Sequence, residues 1–506
     1  MWRVKPLDSI LATAEKKSLH RSLGAVQLTL LGVGAIIGTG IFVLTAEAAQ
    51  KAGPGMMVSF IIAGFVCALA ALCYSELAAM VPVSGSAYTY SYAVLGEVVA
   101  WLVGWALILE YAVAASAVSV GWSGYFTGLL EHSLGIVVPP EFANGPYAGG
   151  LVNLPAVAIG LLVTLLLIRG TRESATLNAV LVAIKVAALG AFVWLALPLL
   201  KEQNFQPFAP MGTPGVIGAA ASIFFAYVGF DAVSTAAEET KNPQRNVPIA
   251  LIGSLVICTV FYLLVAAGAI GAYGAQPVFG PNGEVLAAGS TALTQQCSTL
   301  AQAGQQPLVC SKEALAHVLR QIGQPEVGNL LGLAVFLGLP SVILAMIYGQ
   351  TRIFFVMSRD GLLPGVLSRV HPKFKTPHVV TILTGVGVMI GAAFFPVGQL
   401  ADISNSGTLF AFFAVSLAVM ILRKTNPDRK RPFRTPLVWI IAPLSAIGCV
   451  VLFFFLPAPA KMLFPIWSGV GLVVYLLYGV HKSHVGRGLV DGPELVPDTQ
   501  PAPGAD

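Results

Sequence analysis

The sequence predicts an all-α, multi-pass membrane protein of twelve transmembrane helices. Three observations carry this: apolar runs recur from end to end, charge is scarce, and positive charge collects on one face. Of 506 residues, 56% are hydrophobic and 10% charged, with a mean hydropathy of +0.81. A soluble domain carries about 25% charged residues, so this class is excluded. A bilayer core of about 30 Å takes about 20 apolar residues to cross as a helix. Runs of this kind fall at 24–50, 55–81, 98–130, 151–169, 175–198, 213–239, 249–273, 327–355, 378–397, 400–422, 437–457 and 462–481. With both ends on one side, 22 of the Lys and Arg residues lie on the N-terminal face and five on the other, with Lys185 mid-span. The positive-inside rule then puts both termini in the cytoplasm, and an odd number of spans would scramble the pattern. The net charge of +5 is small for this length and does not suggest a nucleic-acid partner.

Taken in order, residues 1–23 form a charged cytoplasmic segment without the apolar core and cleavage site of a signal peptide. The first span contains "LLGVGAIIGTGIFVLT", with glycines at 32, 34, 38 and 40. Glycine in a helix interior costs about 1 kcal/mol relative to alanine, so four need a reason. A dinucleotide-binding loop would read G-x-G-x-x-G between a strand and a helix; the spacing here is G-x-G-x-x-x-G-x-G inside a span. Gly34 and Gly38 form a G-x-x-x-G pair that lets helices approach closely. That leaves Thr39 and Gly40, which fit a discontinuous helix whose freed backbone groups bind substrate near the midplane. Such groups are tolerated in hydrocarbon only where they line a cavity or are buried in protein.

A second interruption is then expected five spans later, and "AASIFFAYVGFDAVSTAAEET" at 220–240 supplies one, with Gly229 and Asp231 inside an apolar segment. An offset of five suits two inverted repeats, 24–198 (helices 1–5) and 213–422 (helices 6–10), followed by helices 11–12 at 437–481 and a Pro-rich cytoplasmic tail at 482–506. Charge at membrane depth costs about 2.5–3.5 kcal/mol on insertion scales and marks function by default. Glu110, Lys185 and Asp231 are so placed. Lys185 is either half of a structural ion pair with one of these acids or a carrier that gains and loses a proton as the site opens to each side. Glu76, Glu238 and Glu239 lie nearer the cytoplasmic helix ends and read as gate or capping residues. The external loop 274–326 holds Cys297 and Cys310, thirteen positions apart, which either close a disulfide or stand as two loop thiols. The other cysteines, 67, 73, 258 and 449, sit in spans as small apolar residues. The loop "RKTNPDRKRPFRTP" is a basic anchor, or simply a determinant of topology.

"LGVGAIIGTGIFVLT", "YSELAAMVPVSGSAYTYSYAVLGE", "FFAYVGFDAVSTAAEETKNPQRNVPI" and "YGQTRIFFVMSRDGLLP" resemble signatures of the amino acid–polyamine–organocation superfamily. Within it, the chain is similar to bacterial members of the cationic amino acid transporter branch. The resemblance spans about residues 20 to 480 and implies a leucine-transporter-like five-plus-five inverted repeat with discontinuous helices 1 and 6. It also implies alternating access and an amino acid substrate in the cell membrane. It assigns the substrate carboxylate to the amides of Thr39 and Gly40 within Ile36-Ile37-Gly38-Thr39-Gly40, where the partial positive end of a half-helix faces it. The α-ammonium goes to the carbonyls of Ile36, Phe225 and Val228 around Ala226, with Phe225 closing over it. Lys185 falls where sodium-independent relatives place a lysine at the sodium position, which supports proton coupling. Asp231 and Glu110 tune that lysine or line the side-chain pocket.

Function so read is proton-coupled import of an amino acid. The alternatives are exchange of an amino acid against another or against an amine and, from another class, an ion channel or proton-translocating subunit. The channel reading expects a file of buried charges and no pair of broken helices. No G-x-x-x-x-G-K-[ST] loop occurs, so an ATP-driven pump would need a partner. No enzyme activity, metal or cofactor is expected beyond the proton as coupling ion. Membrane lipid is the other partner; oligomeric state and a small accessory membrane subunit are left open. The branch includes fourteen-helix members, and the polar sequence after span twelve is expected to lack their extra pair.

Overall fold

Two apolar runs that read as single spans are each divided. In the computed structural model, which describes residues 3–6, 23–81, 86–170, 175–237, 240–374 and 376–489, the run at 24–50 becomes α1 Ala25–Ile36, α2 Thr39–Phe42 and α3 Leu44–Ala52. The chain then continues as α4 Met56–Met80, α5 Ser86–Val94, α6 Glu97–Leu134, α7 Leu154–Arg169 and α8 Ala175–Ala196. The run at 213–239 becomes α9 Gly212–Ile223, a 3₁₀ turn Phe224–Tyr227 and α10 Ala232–Thr235. There follow α11 Pro243–Tyr273, α12 Thr291–Gln302, α13 Ala314–Gln321, α14 Pro325–Arg359, α15 His378–Phe394, α16 Val397–Thr425, α17 Val438–Phe455 and α18 Ala458–Val474.

Among the described residues, eight segments are long and apolar enough to cross a membrane, with Leu44–Met80 counted as one, and four shorter apolar helices accompany them: Ala25–Ile36, Leu154–Arg169, Gly212–Tyr227 and His378–Phe394. Among the described residues, β structure is limited to isolated bridges, Leu23 with Thr240 and Phe279 with Val285. The architecture is that of a multi-pass, all-helical membrane protein.

Differences from the expected boundaries have local causes. Pro243 stands in the first turn of α11, where its missing N–H is harmless, and starts the helix six residues before the expected 249. Pro396 separates α15 from α16. α5 is absent from the expected spans because "SAYTYSYAV" is too polar to read as one, yet all of Ser86–Ala93 is buried. The loop 274–326 is not irregular throughout: it carries α12, α13 and the 3₁₀ turn Leu308–Cys310.

α6 runs through the centre and packs on α14, α15, α16 and α18. Its indoles fix two of these neighbours. Trp101 Nε1 donates to Gly471 O (2.8 Å), and Trp105 and Trp467 exchange ring N–H···O=C bonds (2.9 and 2.8 Å) with their rings stacked at 4.8 Å. On the other side, Pro340 inside α14 cannot donate to the carbonyl one turn back, that of Phe336. Trp122 Nε1 of α6 fills that carbonyl at 2.9 Å. Each bond gives a buried or partly buried indole its partner and ties a distant helix to the central one.

Candidate functional site

A helix that stops inside the protein leaves its last carbonyls without intrahelical donors, and the end of α1 can be followed one carbonyl at a time. Val33 O keeps its bond to Ile37 N (2.9 Å). Gly34 O and Ile37 O both receive Lys185 Nζ, at 2.6 and 2.9 Å. Ile36 O receives Tyr262 Oη at 3.0 Å. Ala35 O faces Gly229, where a Cβ would lie 2.8 Å away. After Gly38 the chain restarts as α2 with no side-chain cap on its first turn.

The second interruption lies against the first. The end of α9 gives the carbonyls of Ala221 and Ser222 to Asn405 Nδ2 of α16, at 2.8 and 3.0 Å. Phe225 O accepts Val228 N (3.2 Å) in the 3₁₀ turn, and Ala226 O accepts the same Tyr262 hydroxyl at 2.9 Å. Gly229 adopts φ +116°, a left-handed conformation that glycine alone takes without strain. A Cβ on Gly40 would sit 2.3 Å from Ala226 Cα, so the two breaks touch backbone to backbone. At the far end Lys241 N donates to Leu23 O at 2.8 Å, joining the two interrupted segments again beside the Leu23–Thr240 bridge.

Ile36, Ile37, Gly38, Thr39 and Gly40 thus meet Phe225, Ala226 and Val228. All eight are buried. Phe224 packs on Phe412 (ring centroids 5.9 Å), which leaves Phe225 at the break rather than facing lipid. The glycines divide their work. Gly34 admits Val182 of α8, where a Cβ would come within 2.4 Å, and Gly32 admits Ser254 and Val233. Gly38 meets only ordinary contact, 3.5 Å from Val342, so its place is in the break and not in a close helix crossing.

The buried charges fall into two groups. Lys185 is 1% exposed, and its stem crosses Gly338 of α14, where a Cβ would come within 2.8 Å. Asp231 accepts Tyr111 Oη at 3.0 Å. Glu110, next to Tyr111, packs on Gly407 of α16, with Oε2 buried and without a hydrogen-bond partner. Glu76 is a structural anchor: Arg423 grips it with two bonds (2.7 and 2.9 Å), Arg431 adds a contact at 3.2 Å, and Thr435 N donates at 2.8 Å. The basic loop is therefore a folded latch and more than a topology signal. Glu238 and Glu239 lie outside the described residues. Cys297 and Cys310 are joined in a disulfide, while the other four cysteines are buried thiols.

The amino acid permease family model matches residues 23–480. The chain belongs to the amino acid permease family. It is 45% identical over 484 residues to the branched-chain amino acid permease BcaP of Bacillus subtilis (strain 168), covering 95% of this chain and 97% of that protein. It is 43% identical over 491 residues to the methylthioribose transporter of the same organism, covering 96% and 99%. It is 35% identical over 452 residues to the chloroplastic cationic amino acid transporter 9 of Arabidopsis thaliana, covering 87% and 74%. These are transporters and not enzymes, and the resemblance to the cationic amino acid transporter branch holds.

In this permease-family chain, two partners of the breaks escaped the sequence reading. Tyr262, in "CTVFYLLVA", is a buried hydroxyl in an apolar helix. A buried tyrosine usually finds a hydrogen-bond partner, but nothing local says which. Asn405, in "ADISNSG", carried the same kind of signal, a buried amide that must find acceptors.

Proposed function

We propose that the chain imports an amino acid across the cell membrane by alternating access, with twelve spans, both termini cytoplasmic, and a proton as coupling ion. The observation that carries this is the meeting of the two breaks at Gly40–Ala226 and Gly229–Ala35. The substrate carboxylate takes the amides of Thr39 and Gly40, and its ammonium takes the carbonyls at Ile36, Phe225 and Val228. The name of the BcaP relative supports a branched-chain substrate, and the apolar surroundings of Phe225 agree with it.

The five-plus-five repeat gains support from a correspondence between its halves. Lys185 of the fifth proposed span caps the interrupted first, and Asn405 of the tenth caps the interrupted sixth. An inverted repeat pairs spans in this way. The two caps differ in one property, because only the lysine can carry charge. A charged ammonium makes stronger hydrogen bonds to carbonyls than a neutral amine, so the proton on Lys185 biases the first break towards its closed arrangement.

The test is uptake of an amino acid panel into proteoliposomes under imposed pH or sodium gradients. Transport driven by the pH gradient is expected, and Lys185→Ala should abolish the pH dependence while the protein still inserts and folds. Sodium-driven, pH-indifferent uptake would sink the coupling role. Lys185→Ala protein that is merely unstable would favour a structural one.

A further inference from the structure

A cavity of about 170 Å³ lies between α3, α6 and the loop that carries the disulfide. Cys297 and Cys310 form part of its wall, and Val43 and Gly121 also line it. A Cβ on Gly121 would lie 2.4 Å from Thr39 Cγ2, so the cavity stands one side chain away from the first break. Two opposite charges line it. Glu47 enters from α3, with Oε2 buried and without a hydrogen-bond partner. Lys312 enters from the loop, its ammonium bonded to Asn144 Oδ1 and reaching Ala143 O at 3.5 Å. No ion pair joins the two among the described residues. A carboxylate and an ammonium that face one apolar cavity without meeting are complementary to a molecule bearing both charges.

We propose that this cavity is an outer subsite for the α-amino acid zwitterion, with Glu47 holding the ammonium and Lys312 the carboxylate of a substrate above the break. It rests on the amino acid reading given above. Glu47 Oε1 stands by the cavity wall, 3.5 Å from where a Cβ on Gly289 would lie, and a carboxylate gains most from a charged donor, since ionised hydrogen bonds are about twice as strong as neutral ones. Apolar walls from Val43, Val309 and Val397 accept a small aliphatic side chain.

Equilibrium binding of radiolabelled L-leucine to the purified full chain tests it; if leucine is not imported, the best-imported member of the panel replaces it. Wild type is expected to bind two molecules per chain, and the Glu47→Gln, Lys312→Met double variant one. Gly40→Val should also bind one, at the outer subsite. N-acetyl-leucine and leucinamide, each lacking one charge, should not displace the outer molecule. The unligated double variant should unfold at the wild-type temperature, so that a lost site is not read as a lost fold. One molecule per chain in wild type, unchanged in the double variant, overturns the outer subsite and leaves transport standing; so does a double variant that still binds two. A wild type that binds and imports no amino acid overturns the transport reading instead.

Discussion

Gly229 and Gly38 look alike in the sequence, each a glycine at a break, but the structure gives them different constraints. Gly229 holds φ +116° and has Ala35 O where a Cβ would go, whereas Gly38 has a negative φ and open contact. A left-handed conformation costs an L-residue about 1–2 kcal/mol, and a forced shift of the neighbour adds about 1–3 kcal/mol. Gly229→Ala is therefore expected to destabilise by about 3 kcal/mol, seen as a lower unfolding temperature in detergent and lost uptake. Gly38→Ala should remain close to wild type in unfolding temperature. Tyr262→Phe withdraws the one hydroxyl shared by Ile36 O and Ala226 O. Leaving a buried acceptor unsatisfied costs about 1–3 kcal/mol, so the unligated variant should unfold earlier by a comparable amount; an unchanged transition would remove Tyr262 from the site.

Among the elements, the loop between α16 and α17 behaves as a clasp. Arg431 donates to Leu422 O, Asn426 O, Pro427 O and Arg429 O, closing the end of α16, while Glu76 of α4 takes both Arg423 and Arg431. Removing one member of a buried ion pair costs about 3–5 kcal/mol, because the other stays buried without compensation. Glu76→Ala should therefore cost about 3 kcal/mol or more and loosen α16 against α4, read as faster hydrogen exchange at 423–435. A variant with wild-type exchange would return the loop to a topology signal alone. The second element to consider is α13, whose apolar residues Leu315, Val318 and Leu319 keep helical spacing and are buried. That stripe was legible, but the surrounding Gly, Gln and Ser content hid it.

For the whole molecule, apolar length showed where the chain runs as buried helix, and glycines, joined at the second break by a buried acid, showed where two runs are divided. Both are local signals. What holds the divided ends is not local: Tyr262 lies 226 residues from Ile36, and Asn405 184 from Ala221. Each is a side chain bonding a backbone carbonyl, which leaves no periodicity in either segment. The proposed orientation is open to direct measurement. The native thiols are buried, so single cysteines can be placed at exposed Glu202 and His481. An impermeant thiol reagent on intact cells should label Glu202→Cys and should reach His481→Cys only after permeabilisation. The reverse pattern would invert the molecule, and equal labelling of both would mean an even number of spans between them.

The Tyr262 hydroxyl has one proton and stands within bonding distance of two carbonyls, 3.0 Å from one break and 2.9 Å from the other. A single proton is thus shared between two acceptors, one at the end of each break. A substrate ammonium has three protons and can serve both breaks at once. Binding at the proposed site would then add more than contacts: it would supply the protons that one hydroxyl has to divide, and tie the two halves of the chain through a single ligand.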